Sequence, residues 1–193
     1  MPSADAPRTS GLAALTEGAI LSPFTRTRQL IAPYESGHAK LIDMTIGEPR
    51  EAMPAFVMDK LTESEALFAK YPPIRGTDAL RQSIATWLDR RYGLTDAVDS
   101  AREVHPLNGS REGLFYALMP AIGRKQVPGR PAVLLPNPYY AVYIGAALAF
   151  NAEPVYLNTT EATGHLPDLD ALEREPELLA RTVAFYLCSP ANP

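Results

Sequence analysis

Asn108-Gly109-Ser110-Arg111-Glu112-Gly113 stands between an apolar run and a helical pattern, and the chemistry such a turn offers is anion binding. The first amides of a helix have no intrahelical acceptor, and the positive end of the helix dipole lies there. Gly109 permits close backbone approach, and Ser110 adds a hydroxyl donor. The same residues would also serve as an ordinary cap, and alone they leave both readings open. The turn has neither a Walker Gly-Lys-Ser/Thr nor the three-glycine spacing of a dinucleotide fingerprint. Pro136-Asn137-Pro138-Tyr139-Tyr140 offers an aromatic ring to a flat heterocycle, or a pair of core tyrosines. Tyr71, in Tyr71-Pro72-Pro73-Ile74-Arg75-Gly76, offers a phenol to an anion, or is a packed loop residue. Asn192, in Ser189-Pro190-Ala191-Asn192-Pro193, offers an amide to a ligand oxygen, or closes an Asx-turn. His38, His105 and His165 have no metal spacing, and His165 beside Gly164 reads as a surface loop. Cys188 reads as a buried strand residue and not a nucleophile, and Glu63 with Glu65 as a solvated helix face.

These segments must be carried by regular elements. Ser22-Pro23 predicts a short helix through Leu30 and Ile31, with the proline at its first position. Residues 41–46 predict a strand ending at Gly47-Glu48-Pro49, and 54–68 a helix. Thr77 predicts the cap of a helix with Leu80, Ile84, Trp87 and Leu88 on one face, ended by Gly93. Strands are then expected at 104–107, 132–135, 154–157 and 183–188. Helices are expected between them at 111–122 (closed by Gly123), 139–150 and 168–180. Alternating β and α units imply an α/β fold with a mostly parallel sheet and helices on both faces. Ligands of such sheets gather at the carboxyl ends of the strands, where the candidate turns lie.

Taken in order, the segments resemble the fold-type I, pyridoxal-phosphate-dependent aminotransferases of class I/II. The matching pieces are Ile46-Gly47-Glu48-Pro49, Tyr71 with Gly76 and Leu80-Arg81, Asn108 to Glu112, Pro138-Tyr139-Tyr140 with Tyr143, and Ser189 to Pro193. They cover roughly residues 40–193, and the strings around Asn108 and Pro136 are most similar to the N-succinyldiaminopimelate aminotransferase branch. The resemblance implies that the backbone amides of Ser110 and Arg111, preceded by Gly109, hold the phosphate of pyridoxal phosphate. Tyr140 would stack on the pyridine ring and Asn192 would donate to its phenolic oxygen. Tyr71 would reach the phosphate in a neighbouring subunit of a homodimer, and Gly47 would lie near the substrate carboxylate. The reaction implied is amino transfer between an amino acid and a 2-oxo acid, with N-succinyl-diaminopimelate in lysine biosynthesis as the narrower assignment.

The family follows Asn-Pro with Thr- or Ser-Gly and places its ring-nitrogen aspartate, Schiff-base lysine and carboxylate-binding arginine later still. None of Lys40, Lys60, Lys70 and Lys125 stands in a matching context. The chain therefore reads as an N-terminal part: residues 1–44 an arm with part of the small domain, 45–193 the start of the cofactor-binding large domain. Alone it is expected to be inactive and, with an open sheet edge, poorly soluble or oligomeric. The alternatives are a non-catalytic fragment that dimerises with a full-length partner, and a nucleotide-binding domain using the Asn108 turn. The composition, 46% hydrophobic and 21% charged over 193 residues, is that of a globular protein. A net charge of −4 without a basic run argues against nucleic-acid binding. A single cysteine, no secretory leader and no membrane-spanning run point to the cytoplasm.

Overall fold

Ala132-Val133-Leu134-Leu135 is apolar without interruption, the pattern of a strand covered on both faces, and all four residues are buried. They open β1 (Ala132–Asn137), the centre of a three-stranded parallel sheet. β2 (Glu153–Asn158) pairs along its whole length, with Leu135 opposite Tyr156. β3 (Thr182–Phe185) takes the other side, with one register irregularity beside Ala132. The computed structural model describes residues 23–40, 42, 44 and 47–192. Their contacts form two units, one of residues 23–37 and 108–192, the other of His38–Leu107.

The first unit holds the sheet. α1 (Pro23–Ile31) begins at the expected proline, and the expected cap, Ser22, lies outside the described residues. α4 (Ser110–Arg124) and α5 (Val142–Ala149) pack on each other and on the sheet. Leu118 of α4 meets Val133, Leu135, Tyr143, Ala146, Ala147, Ala152 and Tyr186 in one core. Small Ala146 and Ala147 let α5 lie close to the strands. Gly123 does not close α4, which runs on to Arg124. The helix expected over 139–150 begins only at Val142, leaving Tyr139 and Tyr140 in the turn. The helix expected over 168–180 is two, α6 (Leu169–Glu173) and α7 (Pro176–Arg181). Pro176 starts the second and forces the preceding residue out of helical conformation. β3 ends at Phe185, short of Cys188, although the Tyr186 amide still donates to the Leu134 carbonyl at 3.0 Å.

The second unit holds α2 (Ala55–Glu63), a 3-10 turn (Glu65–Ala69) and α3 (Asp78–Tyr92). Thr77 caps α3 as expected, accepting from the Leu80 amide at 3.2 Å, and Gly93 ends it with φ 67°. Its buried face differs from the expected one: Arg81 and Ala85 are buried, whereas Leu80 and Trp87 are half exposed. Of the strand expected over 41–46, residues 41, 43, 45 and 46 lie outside the described residues, and Ile42 and Met44 are exposed and irregular. Residues 104–107 are not a strand either. Val104 is buried with no ladder partner among the described residues, and Pro106 has no amide to give one. Among the described residues no helix is long and apolar enough to cross a membrane.

Candidate functional site at the carboxyl ends of the strands

Gly109 precedes α4 in an extended conformation, φ 179° and ψ 149°. A side chain there would meet no protein atom within 4 Å, so the glycine leaves that space open. The first helical bond runs from the Gly113 amide to the Gly109 carbonyl at 3.2 Å. The amides of Ser110, Arg111 and Glu112 thus have no acceptor among the described residues. Three aligned donors at a positive helix end are what a phosphate dianion requires. Glu112 in this first turn complements the helix dipole.

The turn after β1 closes on this cradle. Arg111 Nε donates to the Tyr140 hydroxyl at 3.0 Å, and its guanidinium carbon lies 5.8 Å from the ring centroid. Tyr140 is half-buried and meets Tyr143 edge to face at 5.7 Å and 88°. Tyr143 in turn lies flat on Tyr186, 4.4 Å between centroids at 10°. Tyr139 is occupied elsewhere, its ring 5.4 Å from Tyr156 of β2. Asn137, ending β1, donates through Nδ2 to Oδ1 of Asn158 at 2.8 Å and so ties the ends of both strands.

The exit from β3 reaches the same cluster. Cys188 is exposed, correcting its reading as a buried strand residue, because the chain leaves the sheet at Phe185. Its thiol donates to the Pro190 carbonyl at 3.1 Å, bracing the turn that presents exposed Asn192. Burial raises the Tyr143 phenol above its ordinary 10.0, and Cys188 and then Tyr140 push it the same way. Burial, then Tyr143, raises Tyr186 likewise. Both phenols therefore stay protonated in the folded chain at a pH where they ionise in the unfolded one. Their contribution to stability is complete below about pH 10 and is lost as pH rises through the folded values. Urea midpoints should hold level from pH 8 to 9 and fall above 10, less steeply in Tyr143→Phe. A level midpoint up to pH 11 would contradict this.

Of the residues expected at a site, the structure joins Arg111 to Tyr140 directly. Tyr143 joins Tyr140 to Tyr186, the residue that follows β3, while Cys188 braces the Ser189–Asn192 turn. Gly47 and Tyr71 belong to the second unit. Gly47 is exposed with no atom near its Cβ position, and Tyr71 is fully exposed. The tyrosine loop is braced from behind: Arg81 donates to the carbonyls of Arg75 (2.9 Å), Gly76 (2.8 Å) and Ser100 (3.2 Å). Arg75 donates to the Ala101 carbonyl. The contribution of Tyr186 was missed, because an aromatic in an apolar strand carries no signal beyond burial. Among the described residues no cluster of three His, Cys, Asp or Glu side chains could hold a metal.

Residues 39–193 match the family model of the class I and II aminotransferases. The chain belongs to this family. Its members depend on pyridoxal phosphate. An LL-diaminopimelate aminotransferase from Moorella thermoacetica is 32% identical over 173 residues, which is 88% of this chain and 42% of that protein. One from Nitratidesulfovibrio vulgaris is 34% identical over 155 residues, 79% and 38% of the two chains. The crystal structure of an aminotransferase from Neisseria meningitidis superposes with a TM-score of 0.82 at 34% identity, covering 93% of this chain and 44% of that one. The chain thus spans about two-fifths of the length of the relatives it matches. The α/β fold with a parallel sheet is the family's.

Proposed function

We propose that the chain supplies the phosphate cradle and ring contacts for pyridoxal phosphate in an enzyme moving an amino group between an amino acid and a 2-oxo acid. The observation that carries this reading is the junction of three acceptor-free amides, at Ser110, Arg111 and Glu112, with Tyr140 through one hydrogen bond. The donor set fits the cofactor: an anion-binding helix start and an aromatic ring at the carboxyl end of a central strand. Ser110 and Arg111, after Gly109, hold the phosphate by their amides. Tyr140 stacks on the ring, and the Asn192 amide donates to the ring oxygen. Tyr71 turns toward the phosphate of a second subunit in a homodimer, and Gly47 lies by the substrate carboxylate. Once bound, the cofactor supplies an aldehyde for the incoming amino group and an electron-withdrawing ring. On this reading residues 1–44 are an arm with part of the small domain, and 45–193 open the cofactor domain of a cytoplasmic enzyme.

The substrate we favour is of the diaminopimelate type, since the relatives reported above are named for LL-diaminopimelate. The N-succinylated form stays within that type and differs by an acyl group on the distal nitrogen. Titrating the chain with pyridoxal phosphate, followed by the cofactor's own absorbance and by calorimetry, tests the cradle. Saturable binding that is lost with pyridoxal, which lacks the phosphate, is expected. Equal affinity for both compounds would overturn the reading. In a protein of the relatives' length, amino transfer from LL-diaminopimelate against its N-succinylated form separates the two substrates.

A further inference from the structure

Tyr186 lies outside the ligand contacts assigned above, yet it touches β1, α5 and α4, the elements around the junction of Ser110 with Tyr140. Its amide donates to Leu134 of β1 at 3.0 Å, so its position is set by the sheet. From there its ring stacks on Tyr143 of α5, and its hydroxyl donates to the Leu114 carbonyl of α4 at 2.7 Å. Leu114 lies about one turn into the helix whose free amides form the cradle. Tyr143 in turn meets Tyr140 edge to face. Tyr186 is buried, with 8% of its surface exposed, and without its hydroxyl the Leu114 carbonyl loses this donor.

Resting on the aminotransferase reading, we propose that Tyr186 is a positioning residue that sets the start of α4 against the Tyr140 ring. The hydroxyl holds α4 in register with β1, and the stacked ring holds α5 in register with both. A phosphate on the cradle and a ring under Tyr140 belong to one ligand joined by a short arm, so the separation of these two contacts must stay within its reach. A small slide of α4 costs the phosphate contacts selectively.

Tyr186→Phe removes the hydroxyl and keeps the stack, so it separates the two parts of the contact. The readout is the ratio of affinities for pyridoxal phosphate and pyridoxal, measured by calorimetry on the full chain. The ratio should fall about 3- to 10-fold in Tyr186→Phe, the worth of one neutral hydrogen bond. Val133→Ala weakens the same core without touching α4's tether and serves as the control. It should leave the ratio unchanged. An unchanged ratio in Tyr186→Phe, or an equal fall in Val133→Ala, overturns the positioning role alone. A wild-type chain that does not distinguish the two ligands overturns the aminotransferase reading and this role with it. Should Tyr186→Phe not fold, Tyr143→Phe, which leaves the Leu114 bond in place, must keep the wild-type ratio; a fall there overturns the role.

Discussion

Ser110→Pro lowers the affinity for pyridoxal phosphate about ten- to hundredfold while α4 stays intact. The first position of a helix accepts proline, because its amide has no intrahelical partner in any case. Gly109 already holds ψ at 149°, the extended conformation that a residue before proline prefers. The substitution therefore removes one donor from the cradle at little cost to the fold. A hydrogen bond to a charged acceptor is worth about 1.5–3 kcal/mol, and that range sets the expected factor. The Ser110 hydroxyl is lost as well, so Ser110→Ala, which keeps the amide, apportions the effect. Calorimetry with pyridoxal phosphate measures it, and circular dichroism checks the helix. Undiminished affinity with an intact helix would show that the phosphate does not sit on these amides.

Arg81→Ala destabilises the His38–Leu107 unit by about 2–4 kcal/mol. The side chain is buried and serves three backbone carbonyls, those of Arg75, Gly76 and Ser100. Truncation leaves all three without a donor. The ion pair with Asp78 decides little, because that carboxylate is 97% exposed and screened by water. Arg81→Lys should recover less than half, since one ammonium cannot match a planar fork that reaches three acceptors. Trp87 is the single tryptophan and lies on α3 in the same unit, so its fluorescence reports this unfolding directly. A urea midpoint equal to wild type would show that the loop carrying Tyr71 is held by other contacts.

Local rules made part of the molecule legible. Thr77 and Gly93 bracket α3 because a hydroxyl acceptor and a left-handed terminus act within one helical turn. Gly109 with Ser110 marks the start of α4, and Ala132 to Leu135 marks a strand covered on both faces. Where a residue's state depended on a distant partner, the reading failed. Residues 104–107 have strand composition but no neighbouring strand among the described residues. Cys188 continues an apolar run, yet the pairing with β1 stops at Phe185 and leaves the thiol exposed. Leu80 and Trp87 share a helical stripe, but the carbonyls around Arg75 draw Arg81 into that unit's core instead.

The tyrosines draw the boundary most sharply. Sequence order alone placed a ring after β1 and a possible anion turn before α4, and left open whether either was more than packing. Folding separated Tyr139, set against Tyr156, from Tyr140, bonded to Arg111 across 29 positions. It also brought the Tyr186 hydroxyl to the Leu114 carbonyl across 72. Caps, turns and apolar periodicity express forces that act between near neighbours along the chain, and these the order of residues determines by itself. Which hydroxyl meets which acceptor follows from closure of the parallel sheet, where residues far apart in the chain compete for the same few buried contacts. Only the tertiary structure decides that competition.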